Sequence, residues 1–262
     1  MRLFPRPLAR LTAILTLAVV TAAAAPAREW KQIRVGLDGA YPPFSRVGAD
    51  GRPSGFDVEV AAALCAKLAA TCETTVLGWD GLLDGLLGRK VDLLVASIPI
   101  TEATRRHVEF TARYHRIGPR FVARLADPPK SLSAEGLAGR RVGVRAGTVH
   151  ADHLAATRPG ATIVAFADEA AAGAALARGE IDLVFGDTLA LYAWLDGTAP
   201  RGVAGFLGDE VFDPVRFGDG AGIAFRREDR DLGARVDKAL AELVRDGTLD
   251  RLAAHWFPFA PR

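Results

Sequence analysis

The residues with chemistry to offer lie in a few short polar turns. Asp38, Tyr41 and Phe44 share the stretch Asp38-Gly39-Ala40-Tyr41-Pro42-Pro43-Phe44, which brings together a carboxylate, a phenol and an aromatic ring. Trp79 stands in Gly78-Trp79-Asp80-Gly81, Ser97 opens Ser97-Ile98-Pro99-Ile100-Thr101-Glu102, and Asp187 sits in Gly186-Asp187-Thr188. Gly147-Thr148 begins a helix at Val149, and the free backbone N–H groups of a helix start suit a carboxylate. Taken singly, each of these residues also fits a cap, a turn or a core position. The set suits holding a charged solute better than making bonds. The chain has no G-x-S-x-G elbow, no Walker loop and no zinc motif. His150 and His153 stand at helical spacing, but no cysteine or carboxylate set joins them at ligand spacing, so no metal is expected.

The elements that must position these residues follow from pattern. Ile33, Val35 and Leu37 alternate with Arg34 and Gly36, the period-two signature of a strand. The two prolines end that strand, so Asp38–Phe44 is a loop at its carboxyl end, where open α/β sheets bind ligands. Arg141–Thr148, RVGVRAGT, is a second strand of the same type, also ending in a small-residue turn. Gly88–Val95 (GRKVDLLV) resembles Arg178–Phe185 (RGEIDLVF), about ninety residues on. A strand, a helix and another strand, occurring twice, imply two similar α/β lobes with a cleft between them.

Composition limits the class. The chain has 262 residues, half of them hydrophobic, and a net charge of +2. That length suits one large or two modest domains with a sizeable core. Basic residues are scattered, which argues against nucleic acid as a partner. Arg2, Arg6 and Arg10 precede the apolar run Leu11–Val20, followed by Ala25-Pro26-Ala27. This is the order of a secretory signal, with cleavage expected after Ala27 and residues 1–27 removed. No later stretch is long and apolar enough to span a bilayer. Cys65 and Cys72 are the two cysteines of an exported chain, and an oxidising compartment would join them. Seven residues of unbroken helix would hold their Cα atoms roughly 10 Å apart, too far for a disulfide. If they are bonded, the helix that starts near Asp57 must end around residues 69–71.

Further expectations follow in chain order. Residues 46–55 form a turn-rich hairpin with Asp50-Gly51 at its tip. Asp57 caps a helix over Val58–Ala69. Strands are expected over Thr74–Leu77, Val91–Ala96, Arg120–Arg124, Ile163–Phe166, Ile181–Phe185, Val203–Phe206 and Ile223–Arg226. Helices are expected over Leu82–Leu87, Asp168–Ala177, Leu189–Leu195, Leu232–Arg245 and Leu249–His255.

Read together, IRVGLDGAYPPF, GFDVEVAAALCAKLAATC, VDLLVASIPITEATRRHVEFT, RVGVRAGT, IDLVFGD and FGDGAGIAFRRED…LVRDGTLDRLAAHWF resemble the periplasmic solute-binding proteins of polar amino-acid ABC importers. The resemblance is to the lysine/arginine/ornithine- and histidine-binding branch, and it spans nearly the whole mature chain. It implies a type II periplasmic-binding-protein fold: two α/β lobes joined by two crossings. Lobe 1 would cover 28–115 and 208–262, and lobe 2 would cover 116–207. It also implies a disulfide at the Cys65–Cys72 spacing, a monomer without cofactor, a periplasmic location and a membrane permease as partner. Carried over residue by residue, Tyr41 and Trp79 would sandwich the ligand side chain and Asp38 would receive its distal cation. Ser97 and Asp187 would hold the α-ammonium, and Thr148 and Val149 would offer backbone N–H groups to the carboxylate. A zwitterion buried in a closed cleft needs both charges paired, since desolvation costs several kcal/mol.

The sequence departs from the family pattern at three positions. Thr104 occupies the slot of the family's carboxylate-binding arginine, with Arg105 one residue along and so turned by about 100° on a helix. Pro99 replaces a second serine. Arg145 stands where an apolar residue is common, and a cation there offers the carboxylate a partner or selects an acidic or elongated ligand such as an opine. The first reading is capture of a basic amino acid (arginine, lysine, ornithine or histidine) without chemistry. The alternative is an exported cyclohexadienyl-dehydratase-like enzyme on the same fold, which needs a general acid such as Asp38, Glu102 or Asp187. A sensor domain is a third reading, but no signalling module follows in the sequence.

Overall fold

The computed structural model describes residues 30–258. The expected signal segment over 1–27 and its cleavage point lie outside the described residues. Strand β1 (Gln32–Leu37) leads through the small strands β2 (Ala40–Tyr41), β3 (Ser45–Val47) and β4 (Pro53–Ser54) to helix α1 (Phe56–Leu68). Then come β5 (Thr71–Val76), α2 (Leu82–Leu87), β6 (Leu93–Leu94), α3 (Glu102–Arg105) and β7 (Glu109–His115). The middle of the chain holds β8 (Arg120–Arg124), β9 (Arg141–Arg145), α4 (Val149–Thr157), β10 (Thr162–Phe166), α5 (Glu169–Ala177), β11 (Leu183–Gly186), α6 (Thr188–Gly197) and β12 (Ala204–Leu207). The last part holds α7 (Pro214–Phe217), β13 (Ala221–Phe225), α8 (Arg230–Arg245) and α9 (Thr248–Trp256).

The strands form two five-stranded sheets of matching design, β5-β1-β6-β13-β7 and β10-β9-β11-β8-β12, beside a small β2-β3-β4 sheet. In each large sheet the first three strands are parallel and the fourth runs against them. The repeat visible in the sequence is this geometry: β1, β5 and β6 correspond to β9, β10 and β11. The chain leaves the first sheet after His115 and enters the second at Arg120, then returns between Leu207 and Ala221. Each sheet has an apolar core on both faces. Leu64, Val236 and Leu240 cover one face of the first sheet and Leu82 and Leu86 the other. Leu154 and Leu176 lie on opposite faces of the second. No helix among the described residues is long and apolar enough to cross a membrane.

Two local expectations are corrected. Asp57 does not cap α1. The helix starts at Phe56 with Gly55 as N-cap at φ 136°, and a Cβ there would lie 2.2 Å from the Phe44 carbonyl oxygen. The Phe56 and Asp57 N–H groups donate to the Pro43 and Phe44 carbonyls instead, so no side-chain cap is needed. The strand expected over Val91–Ala96 forms regular pairing only at Leu93–Leu94, although Asp92 and Val95 N–H still donate to the β1 carbonyls of Arg34 and Gly36. The helix end inferred from the cysteines is present. α1 stops at Leu68, Ala69 turns left-handed at φ 50°, and the Cys65–Cys72 disulfide closes with Cα atoms 6.1 Å apart.

Candidate functional site

The carboxyl ends of both sheets and the two crossings enclose a cleft of about 500 Å³. Asp38 enters it directly after β1. The residue is only 6% exposed, and Oδ1 has no hydrogen-bond partner among the described residues. Burial pushes its carboxyl above the ordinary range, against the opposing pull of the Trp79 backbone N–H. Tyr41 stacks on Phe44 at 4.9 Å between ring centroids, and Phe44 stacks on His115 at 4.8 Å. Phe44 is buried and forms the inner wall, while Trp79 stands in a short 3-10 turn, 53% exposed at the cleft edge. The Tyr41 hydroxyl is pushed up to about 12, first by desolvation and then by the charges of Asp187, Asp57 and Asp38. Of these three carboxylates Asp38 and Asp187 line the cleft, while Asp57 is buried outside its lining.

Ser97 sits where the chain leaves β6, at φ 50°, a left-handed conformation that a non-glycine residue holds only when its surroundings enforce it. The surroundings are a buried network. The Ser97 N–H donates to the Tyr114 hydroxyl at 2.9 Å, and Tyr114 donates to Asp57 Oδ1 at 2.6 Å. The Ser97 hydroxyl donates to Asp57 Oδ2 at 2.9 Å and meets His115 Nε2 at 2.9 Å. Burial lifts the Asp57 carboxyl to about 7, although the bonds from Tyr114 and Ser97 lower it. Burial also drives the His115 imidazole down to about 3, and its Nδ1 has no partner among the described residues. The Ser97–His115 distance suits a nucleophile and base. Yet the acid lies on the serine rather than behind the histidine, and so weakly basic an imidazole is a poor proton acceptor at neutral pH.

Across the cleft, Asp187 Oδ1 accepts from Ala190 N–H at 2.9 Å, capping α6, and the residue lines the cavity. Thr148 caps α4 by accepting from Ala151 N–H at 3.4 Å. Thr148, Val149 and Arg145 do not line the cavity, and Val149 and Arg145 are exposed. Arg105 does not line it either: its guanidinium carbon lies 5.9 Å above the Phe110 ring. Thr104 is spent on local structure, donating to the Pro99 carbonyl at 2.8 Å within the Thr101 capping box. The structure thus gathers Asp38, Tyr41, Trp79, Ser97 and Asp187 around one cavity, and leaves Arg105, Arg145, Thr148 and Val149 outside its lining.

Several cavity residues escaped the sequence reading. Arg116 lies in the first crossing, with Cζ 4.7 Å over the ring of Phe212 from the second crossing. Asp213 is held by Arg216 and His153 at 2.9 Å each. Although burial opposes it, these bonds hold its carboxyl down at about 2. Asp213 was legible in part, since Asp followed by Pro marks a cap and first helical position. Arg116 had no such signal.

Two similar α/β lobes with opposed carboxylates across an aromatic-walled cleft define a two-lobed binding protein for a small charged solute. The model of the bacterial extracellular solute-binding proteins, family 3, matches residues 33–259, and the chain belongs to that family. ABC transporter arginine-binding protein 1 of Escherichia coli strain K12 is 34% identical over 228 residues, covering 87% of this chain and 91% of that one. The lysine/arginine/ornithine-binding periplasmic protein of the same strain is 31% identical over 242 residues, 91% of this chain and 92% of that one. Among solved structures, an ancestral amino acid-binding protein described as a precursor of cyclohexadienyl dehydratase superposes with a TM-score of 0.59 at 27% identity. It covers 87% of this chain and 95% of that one.

Proposed function

We propose that this chain captures a free basic amino acid, arginine or a close analogue, in the periplasm and delivers it to the permease of an ABC importer. The observation that carries the reading is the pair of carboxylates facing one cleft from opposite lobes: Asp38, with a buried oxygen lacking a partner, and Asp187. Two anions match the two cations of such a ligand. Asp38 receives the distal cation between Tyr41 and Trp79, whose faces favour it by stacking and cation–π attraction. Ser97 and Asp187 receive the α-ammonium. Closure brings the Thr148–Val149 helix start toward the carboxylate. In this reading the lobes divide at residues 116 and 208, residues 1–27 direct export, and the mature protein works as a monomer without cofactor.

The dehydratase reading is the weaker one. Asp38 and Asp187 already have binding roles, and the relatives named above are binding proteins. The test is titration calorimetry on refolded, ligand-stripped protein with arginine, lysine, ornithine, histidine, glutamine, glutamate and an opine. Tight binding of a basic amino acid is expected. Asp38→Asn should weaken arginine on the order of 30-fold and glutamine little, because a charge-assisted contact is lost only for the cation. Asp187→Ala should abolish binding. Equal losses for arginine and glutamine in Asp38→Asn would remove Asp38 as the selector, and silence across the panel would favour an enzyme.

A further inference from the structure

Arg116 is the lysine or arginine that lines the cleft, alone in that among the described residues. It is half-buried, seated on Phe212, and has no carboxylate partner among the described residues. Phe212 and Gly220, both of the second crossing, lie close to it: a Cβ on Gly220 would stand 3.2 Å from the Arg116 Cβ. The other candidate cations point elsewhere: Arg105 lies over Phe110, and Arg145 is exposed outside the cavity lining. Thr104, in the family's arginine slot, is engaged by Thr101 and Pro99.

The charges of the cleft make the role specific. Asp213 is already paired with Arg216 and hydrogen-bonded to His153. What remains is two carboxylates, Asp38 and Asp187, and one guanidinium. A basic amino acid carries two cations and one carboxylate, the complement in both number and sign. A carboxylate entering a desolvated cleft without a counter-charge would be costly, and a planar guanidinium can meet it with two parallel N–H donors.

We propose that Arg116 binds the ligand's α-carboxylate and so replaces the arginine missing at Thr104. This rests on the reading of the cleft as a basic amino-acid site, and the experiment separates the two. Arginine and argininamide, whose carboxylate is a neutral amide, are titrated against the natural protein, Arg116→Gln, Arg116→Lys and Arg145→Gln. The natural protein should prefer arginine strongly. Arg116→Gln should lose on the order of 30-fold for arginine and change argininamide by no more than about twofold. Arg116→Lys should recover part of the loss, and Arg145→Gln should leave both ligands unchanged. Unaltered argininamide binding also shows that the variant is folded. Equal losses for both ligands, or no loss for arginine, would overturn the role of Arg116 while leaving the site reading intact. No binding of any basic amino acid by the natural protein would overturn both.

Discussion

Asp57 and His115 are neighbours on one buried network, and their titrations act in opposite directions. Asp57 has a folded value of about 7 against an ordinary 3.8, so its contribution to stability is complete below about 4 and lost as pH rises toward 7. His115 has a folded value of about 3 against an ordinary 6.5, so its contribution is complete above about 6.5 and lost as pH falls toward 3. Each spans on the order of 4 kcal/mol across the same window, so the two slopes largely cancel in the natural protein. Asp57→Asn should expose the histidine alone: thermal melts should show the variant losing stability from pH 7 to pH 4 more steeply than the natural protein. Parallel curves would mean that the two groups do not titrate as described. At this scale the sequence was a partial guide. Asp38, Ser97 and Asp187 were legible because each ends a strand in a polar turn. Asp57 was mistaken for a cap, because a carboxylate before an apolar helix looks the same whether it bonds its own helix or a serine forty positions away.

The element most informative about stability is α1 and its stop. Two cysteines seven apart require the helix to end between them, and the chain does so with Ala69 in the left-handed region before β5 begins at Thr71. Replacing both cysteines with alanine should cost about 2.5 kcal/mol by the chain-entropy model. Chemical denaturation of the double variant measures it, and an unchanged midpoint would show that the bridge constrains nothing. Helices with a polar cap and strands of apolar residues were legible, because their signals are local. The extent of β5 and β6 was not, since it depends on hydrogen bonds to β1 that no periodicity reveals.

Over the whole molecule, the two-lobe plan was legible because it repeats, and a repeat announces itself without any knowledge of contacts. The crossings do not repeat, and Arg116 and Phe212 were hidden there for that reason, while Asp213 showed itself only as a helix cap. The open edge of the cleft gives a direct reporter of ligand capture. Trp79 is 53% exposed, whereas Trp30 and Trp194 are buried. Closure of the lobes on arginine should shield Trp79 and reduce acrylamide quenching of tryptophan fluorescence, and the change should vanish in Trp79→Phe. Quenching that stays the same while calorimetry records binding would mean that the lobes do not close over this edge.

The order of strands also sets an order of events. β13 lies between β6 and β7, so the first sheet lacks an interior strand until the chain has been delivered as far as residue 225. The second sheet draws every strand from residues 120–207 and is complete earlier. A chain emerging amino-terminus first therefore finishes its middle before its beginning. During that interval β6 and β7 each present a strand edge with unpaired backbone groups, and any chaperone that guards this chain has those edges to cover.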